Sequence, residues 1–399
     1  MLVGNAVQVQ GHGDADENSE ACGSSLENDS GYSADKERSV ATMSRETRPI
    51  LTPSAQIHTK QKTPKLQNSE NEHNWNWKQK KAEAEKKECQ LTGKNLLHFS
   101  DNVTIYEIFE KSTDFDKLVN LLVEQSMIYA HSNGQVFETD CEEMKAFLGI
   151  NLAMSINKMP SLDDYWSTNP FLGNKGINEV MTRNRFKEIL RNLHFANNLE
   201  AEKDNEGNPL DKGYKIRPII KHFNSAFLAA REDEPKQSVD EHMCKFRGQS
   251  SMKQYIKNKP IKWGFKFWIR AGSESGYVYE FDLYLGKKVT PDLSLGEGVV
   301  LQLTERLRDT FVMIFFDNFF TSPNLVQTLF DRGIYSIGTV RVNRKNMPTF
   351  QSDKEMKRGD CDKKFANDVI ALKWMDNRGV HLLGSNIEGI SEMSTVQRR

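Results

Sequence analysis

An unbroken apolar run in the second half of the chain constrains the fold most. FVMIFFD, residues 311–317, places apolar residues in a row before an aspartate. A short run of this kind is typical of a strand buried on both faces of a sheet. In the segment that follows, Ser322 is a natural helix N-cap, Pro323 occupies the first helical position and Gly333 marks the end. A buried strand leading into a capped helix predicts a layer of mixed α/β structure.

The sequence around this unit continues the alternation. Two aromatic-rich stretches with period-two patterning, KWGFKFWIR (262–270) and GYVYEFDLYLG (276–286), predict strands joined by a turn at AGSESG. A helix is expected over 293–309, and further strands over 335–341, DVIALKWM and GVHLLGS. The chain after Pro235 is therefore expected to form a mixed α/β domain.

Residues 100–235 have the periodicity of helices instead. In STDFDKLVNLLVEQSMIYA, apolar residues recur with helical spacing from Phe115 onward, after a capping residue at Ser112, Thr113 or Asp114. Further helices are expected over about 141–154 and 178–194, and residues 201–215 form a polar loop. The pattern over residues 100–235 therefore predicts an all-helical domain.

The first 98 residues are rich in Ser, Asn, Glu and Lys, with few clustered aliphatic side chains. Such a segment buries too little apolar surface to offset the entropy of ordering, so we expect a disordered tail. Residues 73–87, HNWNWKQKKAEAEKK, stand apart because two tryptophans precede a lysine cluster. The cluster at Lys78–Lys87 fits either a nuclear-import or nucleic-acid patch, or a short solvated helix that binds nothing.

Composition argues against several classes of protein. The net charge is −1, so bulk charge gives no indication of a nucleic-acid partner. The five cysteines are scattered without a C-x-x-C pair, which argues against a disulfide framework and a structural zinc site and favours a reducing compartment. We find no signal-peptide pattern and no run approaching the roughly 18 apolar residues of a membrane span. The motifs of phosphate-loop ATPases, zincins and serine hydrolases are also missing.

Two aspartates are the strongest candidates for chemistry. Asp317 closes the buried apolar strand, where open α/β sheets present ligands, and a carboxylate there suits a hard cation such as Mg²⁺. Asp240 lies in SVDEHM beside Glu241 and His242, which also offer ligand atoms. Each aspartate has a simpler interpretation, a turn or capping residue for Asp317 and a solvated acidic pair for Asp240. His194 is interpreted as a packed or capping histidine rather than a ligand.

The segment from Lys245 to Arg270 is basic and contains no acidic residue. Aromatic side chains are interleaved with its lysines, and lysines neutralise phosphates while aromatic rings stack on unpaired bases. The pattern predicts a DNA-facing surface, but it also fits the solvated face of a sheet. The basic residues of this predicted surface are Lys245, Arg247, Lys253, Lys257, Lys259, Lys262 and Lys266, with Arg341, Arg344 and Lys345 as a second cluster.

Several of these segments together resemble the piggyBac transposable-element-derived family. The matching stretches are INKMPSLDDYW, MTRNRFKEILRNLHFANN, SVDEHMCKFRGQSSMKQYIKNKPIKWGFKFWI, GYVYEFDLYLGKK, FFDNFFTSPNLVQTLFDRGIYSIGTVRVNRKNMP and VHLLGS. They occur in family order over roughly residues 103–399. The succession DE-x₄-F-x-G, K-P-x-K-x-G-x-K and DN-F-x-TS…GT-x-R-x-N is highly specific.

The resemblance implies a helical dimerisation and DNA-binding domain followed by an RNase H-like catalytic fold. On that basis we expect a disordered tail over 1–98, the helical domain over 99–235, a partial RNase H-like core over 236–342 and the start of an insertion domain over 343–399. The chemistry of the family is two-metal phosphoryl transfer on DNA, usually at TTAA. The first two family aspartates fall on Asp240 and Asp317.

The third family aspartate has no counterpart in this sequence. In the family it lies in a G-G-V-D-x-x-D motif after the VHLLGS-like strand, whereas this sequence ends at STVQRR. Asp376 precedes that strand but does not match the motif, so we interpret it as a turn residue. Two carboxylates are poor support for two Mg²⁺ ions. The cysteine-rich zinc domain of many family members is missing too, in agreement with the expectation of no zinc.

The sequence supports three hypotheses of function. The first is a domesticated or truncated transposase-derived protein of the nucleus that binds DNA and forms a homodimer but does not cut, with no membrane or small-molecule partner. The second is an active transposase using Mg²⁺, if the chain is part of a longer product or another acid substitutes. The third is a protein-interaction module that works through the tail and the helical domain.

Overall fold

The computed structural model describes residues 73–169, 171–207, 209–257, 259–286 and 293–388, all within one compact unit. The expected tail over 1–72 lies outside the described residues. The α-helices before the first strand are α1 (Ile105–Thr113), α2 (Phe115–Ser132), α3 (Cys141–Ile156), α4 (Lys175–Val180), α5 (Arg183–Asn192) and α6 (Arg217–Ala230). Within the described ranges, no helix combines the length and the apolar character that crossing a bilayer requires.

Capping residues explain where the helix boundaries differ from the sequence prediction. Helix α1 was not predicted, although Thr104 and Glu107 form a complete capping box at its start. Asp114 ends α1 in a left-handed conformation at φ 47°, and it precedes α2 without making a side-chain cap. The helix expected over 178–194 is divided, because the Thr182 hydroxyl accepts a hydrogen bond from the Arg185 amide and starts α5 there.

The helices pack around a core of their own. Phe186 of α5 lies at its centre, with its ring centroid 4.9 Å from that of Phe147 on α3 and 5.1 Å from that of Trp166. Helix α2 contributes an apolar stripe, including Val119, which is completely buried. Burial of this stripe supplies most of the stability of such helices.

One mixed sheet follows the helices. Its strands are β1 (Lys236–Lys245), β2 (Gln254–Tyr255), β3 (Trp263–Gly272), β4 (Val278–Leu283), β5 (Met313–Phe316), β6 (Tyr335–Thr339), β7 (Cys361–Ala366), β8 (Val369–Met375) and β9 (Gly379–Ser385). The strand order is β2-β3-β1-β5-β6-β9-β8-β7, and β4 also pairs with β3. Strands β1, β3 and β4 pair antiparallel, whereas β1, β5 and β6 run parallel.

Three helices pack against the sheet: two that come after β4 in the chain and the earlier helix α6. Helices α7 (Leu295–Leu303) and α8 (Pro323–Asp331) pack on the core that contains β5. The caps predicted for α8 are confirmed, since the Ser322 hydroxyl accepts from the Leu325 amide at 3.1 Å with Pro323 at the first position. On the antiparallel strands, Asn224 of α6 bonds both the amide and the carbonyl of Phe281 in β4.

The segment expected to begin an insertion domain, 343–399, contributes strands to the same sheet as far as it is described. β9 pairs antiparallel with β6, and β8 and β7 follow it outward. The sequence pattern identified β8 and β9 but not β7, CDKKFA, whose charged residues hide its alternation. In β7 the Asp362 carboxylate pairs with Lys364 and also accepts from the Gln351 amide.

Residues 73–98 were predicted as part of a disordered tail, and this prediction is wrong. This N-terminal segment runs extended along the sheet domain, with bridges from Lys78 to Phe365, from Ala84 to Ile387 and from Asn95 to Arg231. Trp75 and Trp77 stack at 5.6 Å and pack against the main core. Apolar burial by a few large side chains compensates for the polar composition. The same contacts exclude the solvated helix considered for the lysine cluster.

Candidate active site and nucleic-acid interface

Pairing of β1 with β5 brings the two candidate aspartates together. These strands are parallel, and their register places Val239 opposite Phe316. One residue further along, Asp317 lies just beyond the carboxyl end of β5, where α/β sheets present ligands, and Asp240 occupies the neighbouring position in the middle of the longer strand β1. Both Val239 and Phe316 are buried in the main core, so packing fixes the position from which each carboxylate emerges.

The chain turns tightly at Asp317 before entering α8. One carboxylate oxygen of Asp317 accepts a hydrogen bond from the Phe319 amide at 2.8 Å, and its carbonyl accepts from the Thr321 amide and hydroxyl. Asp317 is thus a turn residue, as the simpler interpretation held, and a strand-end carboxylate at the same time. The turn uses one carboxylate oxygen and fixes the rotamer of the side chain.

Arginines from beyond β6 hold this turn. Arg344 donates from Nη2 to the carbonyls of Asn318 at 2.8 Å and Phe319 at 2.5 Å, while Arg341 donates from Nε to the Asn318 side chain at 2.9 Å. Both arginines were predicted to bind DNA. The structure instead gives Arg344 a positioning role for the loop that carries Asp317, whereas Arg341 remains exposed.

A lysine ammonium group lies against the carboxylates. Lys259 Nζ is 3.7 Å from an Asp240 oxygen and 3.3 Å from a Glu241 oxygen. Burial lowers the pKa of Lys259, but the negative charges of Asp240, Glu241 and Asp317 outweigh burial and raise it above its ordinary value. Lys259 is therefore a positively charged partner whose ammonium form the acidic group stabilises.

The pKa of Asp240 is also displaced. Withdrawal from bulk water raises it above its ordinary value and outweighs the lowering by the Glu241 amide and by the charge of Lys259. The side chain of Asp240 nevertheless remains 56% exposed, so this shift carries little weight for stability. The exposure leaves the carboxylate open to an approaching ligand.

Lys266, another residue predicted to bind DNA, is enclosed by aromatic rings. Its Nζ lies 3.9 Å from the ring centroid of Trp268, 5.0 Å from that of Phe319 and 5.9 Å from that of Tyr284. Only 13% of its side chain is exposed, and burial lowers its pKa although Glu241 opposes this. Lys266 consequently braces β3 against the Asp317 loop and is shielded from an external phosphate.

The family resemblance implies Mg²⁺ at these residues, and the donor set fits it poorly in this arrangement. Oxygen donors of Asp240, Glu241 and Asp317 are of the type that Mg²⁺ prefers. However, the Lys259 ammonium already contacts two of these carboxylates and offsets part of their charge, and one oxygen of Asp317 is committed to the turn. Within the described residues, no group of three or more His, Cys, Asp and Glu side chains is arranged to hold a metal ion.

The other titratable candidates lie elsewhere or play structural roles. His194 stacks on Tyr129 with ring centroids 3.4 Å apart, and burial together with the charge of Lys215 lowers its pKa. It is therefore a packed histidine, as predicted. Asp376 lies in the turn between β8 and β9 and pairs with Arg358 at 2.9 Å, which confirms its interpretation as a turn residue.

The remaining predicted DNA-binding residues cluster around the β2–β3 hairpin. Lys245, Arg247, Lys257 and Lys262 are exposed there, and Lys253 is partly exposed. Gly264 allows this geometry, because a Cβ at that position would lie 2.0 Å from the Cys244 carbonyl oxygen. The hairpin thus concentrates positive charge at one edge of the sheet.

Sequence reasoning missed the structural roles of Lys259, Lys266 and Arg344. It grouped them by charge, and nothing in their spacing distinguishes a lysine beside carboxylates from one that faces solvent. Gly264 itself was an available signal, because a glycine inside a strand pattern often marks a site where a neighbouring backbone approaches closely.

Comparisons with known proteins agree with this architecture. A family model described as Transposase IS4 matches residues 104–398. Human PiggyBac transposable element-derived protein 3 is 32% identical over 302 residues, which are 73% of this chain and 49% of that protein. Human PiggyBac transposable element-derived protein 2 is 30% identical over 308 residues, which are 74% of this chain and 50% of that protein. The chain spans about half the length of these curated relatives.

A solved structure shares the fold. The cryo-EM structure of a piggyBac transposase synaptic complex with hairpin DNA superposes with a TM-score of 0.61 at 23% identity, covering 74% of this chain and 63% of that one. The shared fold consists of helices followed by a mixed sheet. The chain belongs to the Transposase IS4 family, as a piggyBac-type member.

Proposed function

We propose that this chain is a DNA-binding protein of the nucleus, derived from a piggyBac-type transposase, that dimerises and does not perform cut-and-paste transposition in this form. The observation that carries the proposal is the exposed basic edge of the β2–β3 hairpin beside the carboxylates of Asp240 and Asp317. Clustered lysines in a protein of net charge −1 provide a local field that attracts phosphates. The solved relative, a synaptic complex with hairpin DNA, supports DNA as the partner.

The topology supports an RNase H-like core over 236–342. Three antiparallel strands, β4, β3 and β1, are followed by the parallel strands β5 and β6. This order supports the assignment of Asp240 and Asp317 as the first two acidic residues of such a core. The topology therefore supports descent from an enzyme that acts on phosphodiesters.

Lys259 supports the proposal that this form does not cut. A divalent cation bound by Asp240 and Glu241 would have to displace an ammonium group already 3.7 Å and 3.3 Å from their oxygens. A second ion would need further bridging anionic ligands. We expect Lys259 to remain beside Asp240 and Glu241 when DNA is bound at the hairpin.

The DNA-binding part is tested by fluorescence anisotropy with a labelled duplex over a range of salt concentrations. Affinity is expected to fall steeply with salt, with a slope of about −0.9 for each phosphate neutralised. Lys262→Gln should weaken binding and reduce the slope by about one. The matched control is Lys236→Gln, which removes an exposed lysine from the end of β1 opposite to the hairpin. Binding that is undetectable or insensitive to salt would contradict the proposal and favour the protein-interaction module.

The adjacent positions of Asp240 and Asp317 favour a second candidate, metal-dependent DNA cleavage. It is tested by incubating the chain with Mg²⁺ or Mn²⁺ and a DNA carrying transposon ends. Nicking that requires metal and disappears in Asp317→Ala would overturn the inactive assignment. Absence of nicking together with salt-sensitive binding is the expected result.

A further inference from the structure

The β2–β3 hairpin carries an exposed aromatic pair whose role the proposed function does not explain. Tyr255 and Trp263 are register partners across the two strands, with ring centroids 4.7 Å apart. They are 51% and 53% exposed, so neither contributes its full surface to a core. Exposed pairs of large rings at a sheet edge are a feature of interaction sites.

The surroundings of this pair are positively charged. Lys253 places its ammonium group 5.1 Å from the Trp263 ring centroid while donating to the Gly248 carbonyl at 3.0 Å. Exposed Lys257 and Lys262 lie two residues beyond Tyr255 and one before Trp263. No acidic residue occurs between Lys245 and Arg270. An aromatic face within a cationic rim is complementary to a nucleobase attached to a phosphate backbone, and less so to an acidic peptide without rings.

The pair also lies close to the carboxylates along the chain. Lys259 contacts Asp240, and it follows Tyr255 by four residues, a reach of at most about 14 Å. Along β1, Lys245 lies five positions beyond Asp240, about 17 Å at about 3.3 Å per residue. Each of these two distances could be spanned by a few nucleotides of an extended single strand of DNA.

We propose that Tyr255 and Trp263 form a stacking platform for unpaired DNA bases next to the carboxylates of Asp240 and Asp317. The platform rests on the proposed DNA-binding function and specifies its substrate, DNA with a single-stranded end or flipped bases. Duplex DNA contacts the lysines through its phosphates, whereas an unpaired base adds a ring-to-ring contact with Trp263. Loss of the ring contact should therefore weaken binding to DNA with unpaired bases, whereas loss of a lysine should weaken binding to both kinds of DNA.

The test compares a blunt duplex with the same duplex extended by an unpaired 3′ end, using fluorescence anisotropy with the full chain. Trp263→Ala is expected to weaken binding to the extended DNA by about fivefold or more, with little change for the blunt duplex. Trp263→Tyr should restore most of the preference because it keeps a ring. The matched control is Tyr106→Ala, since Tyr106 is 52% exposed on α1, away from the basic hairpin. A 2-aminopurine base in the unpaired end should be quenched by the wild-type chain and not by Trp263→Ala.

The outcomes separate this proposal from the proposed function. If the wild-type chain binds both DNAs and Trp263→Ala leaves the extended DNA unaffected, the platform is refuted and DNA binding stands. Equal loss on both DNAs, with an unchanged circular dichroism spectrum, also refutes the platform. If the wild-type chain binds neither DNA, both proposals fail.

Discussion

Replacing Arg270 with methionine should destabilise the sheet domain strongly. Arg270 is completely buried in β3, with Nη1 2.5 Å from Asp233 and Nη2 2.5 Å from Glu280. It also donates to Gln237 of β1, so a single guanidinium group links β1, β3 and β4 behind the carboxylate site. Methionine keeps most of the volume but removes every donor.

The magnitude follows from what the substitution leaves behind. Breaking a buried ion pair by removing one partner costs about 3–5 kcal/mol, because the remaining charge is unpaired. Asp233 is only 5% exposed but keeps a second partner, Arg306 at 3.1 Å, and Glu280 is 22% exposed. Both facts favour the lower end of the range, so we expect a loss of about 3 kcal/mol in the free energy of unfolding.

A nearby exposed ion pair supplies the control. Lys236 of β1 pairs with Glu274 at 3.0 Å, with side chains 59% and 74% exposed. The same substitution, Lys236→Met, should cost about 0.2–1 kcal/mol. High salt should remove most of that smaller effect but little of the effect of Arg270→Met.

The measurement is equilibrium unfolding in urea, followed by tryptophan fluorescence and by circular dichroism. Coincident transitions justify a two-state treatment, and the midpoint and slope are fitted for each variant. A loss below about 1 kcal/mol for Arg270→Met, or one equal to that of Lys236→Met, would refute the argument from buried charge.

Three further variants test other parts of the molecule. The hydrogen bonds from Arg185 lower the pKa of Glu143 below 4.5, so the pair stabilises the fold above that pH and the stabilisation is lost as the pH falls through the lowered pKa. Glu143→Gln should therefore lower the melting temperature at pH 7 but not in strong acid, and a pH-independent difference would contradict this. Arg344→Ala should cost about 1–3 kcal/mol and speed amide hydrogen exchange in the turn after Asp317, and unchanged exchange there would exclude a positioning role. Trp77→Ala removes a 2.9 Å hydrogen bond and core packing, so limited proteolysis should cut residues 73–98 faster than in the wild type, whereas an equal rate would indicate that the segment is held elsewhere.

Sequence patterns predicted those parts of the fold that depend on local chemistry. The buried strand ending at Asp317 and the helix capped by Ser322 were both identified, because apolar runs and caps act within a few residues. The division of the helix at Thr182 was missed because the sequence alone does not distinguish a threonine that caps a new helix from a threonine inside a continuous helix. Strand β7 was missed because its charged residues, Asp362, Lys363 and Lys364, follow one another and hide the alternation.

The candidate site was predicted only in part, for a related reason. Asp240 and Asp317 were selected on motif and strand position, but their adjacency depends on the pairing of β1 with β5, which lies between segments far apart in sequence. Charge alone placed Lys259, Lys266 and the hairpin lysines in one group. Only tertiary contacts separate the lysine that neutralises Asp240 from those that face solvent.

The N-terminal segment has a consequence for the order in which the protein folds. Lys78 bonds to Phe365 and Ala84 to residues around Ile387, so this segment pairs with residues that a ribosome makes about 300 residues later. Domains generally fold as they emerge, and contacts between distant segments slow folding because a long loop must close. During synthesis, Trp75 and Trp77 therefore stay exposed at least until Asn324 and Asn346, to which they donate hydrogen bonds, have been made. Apolar surface exposed in this interval makes the nascent chain prone to aggregation.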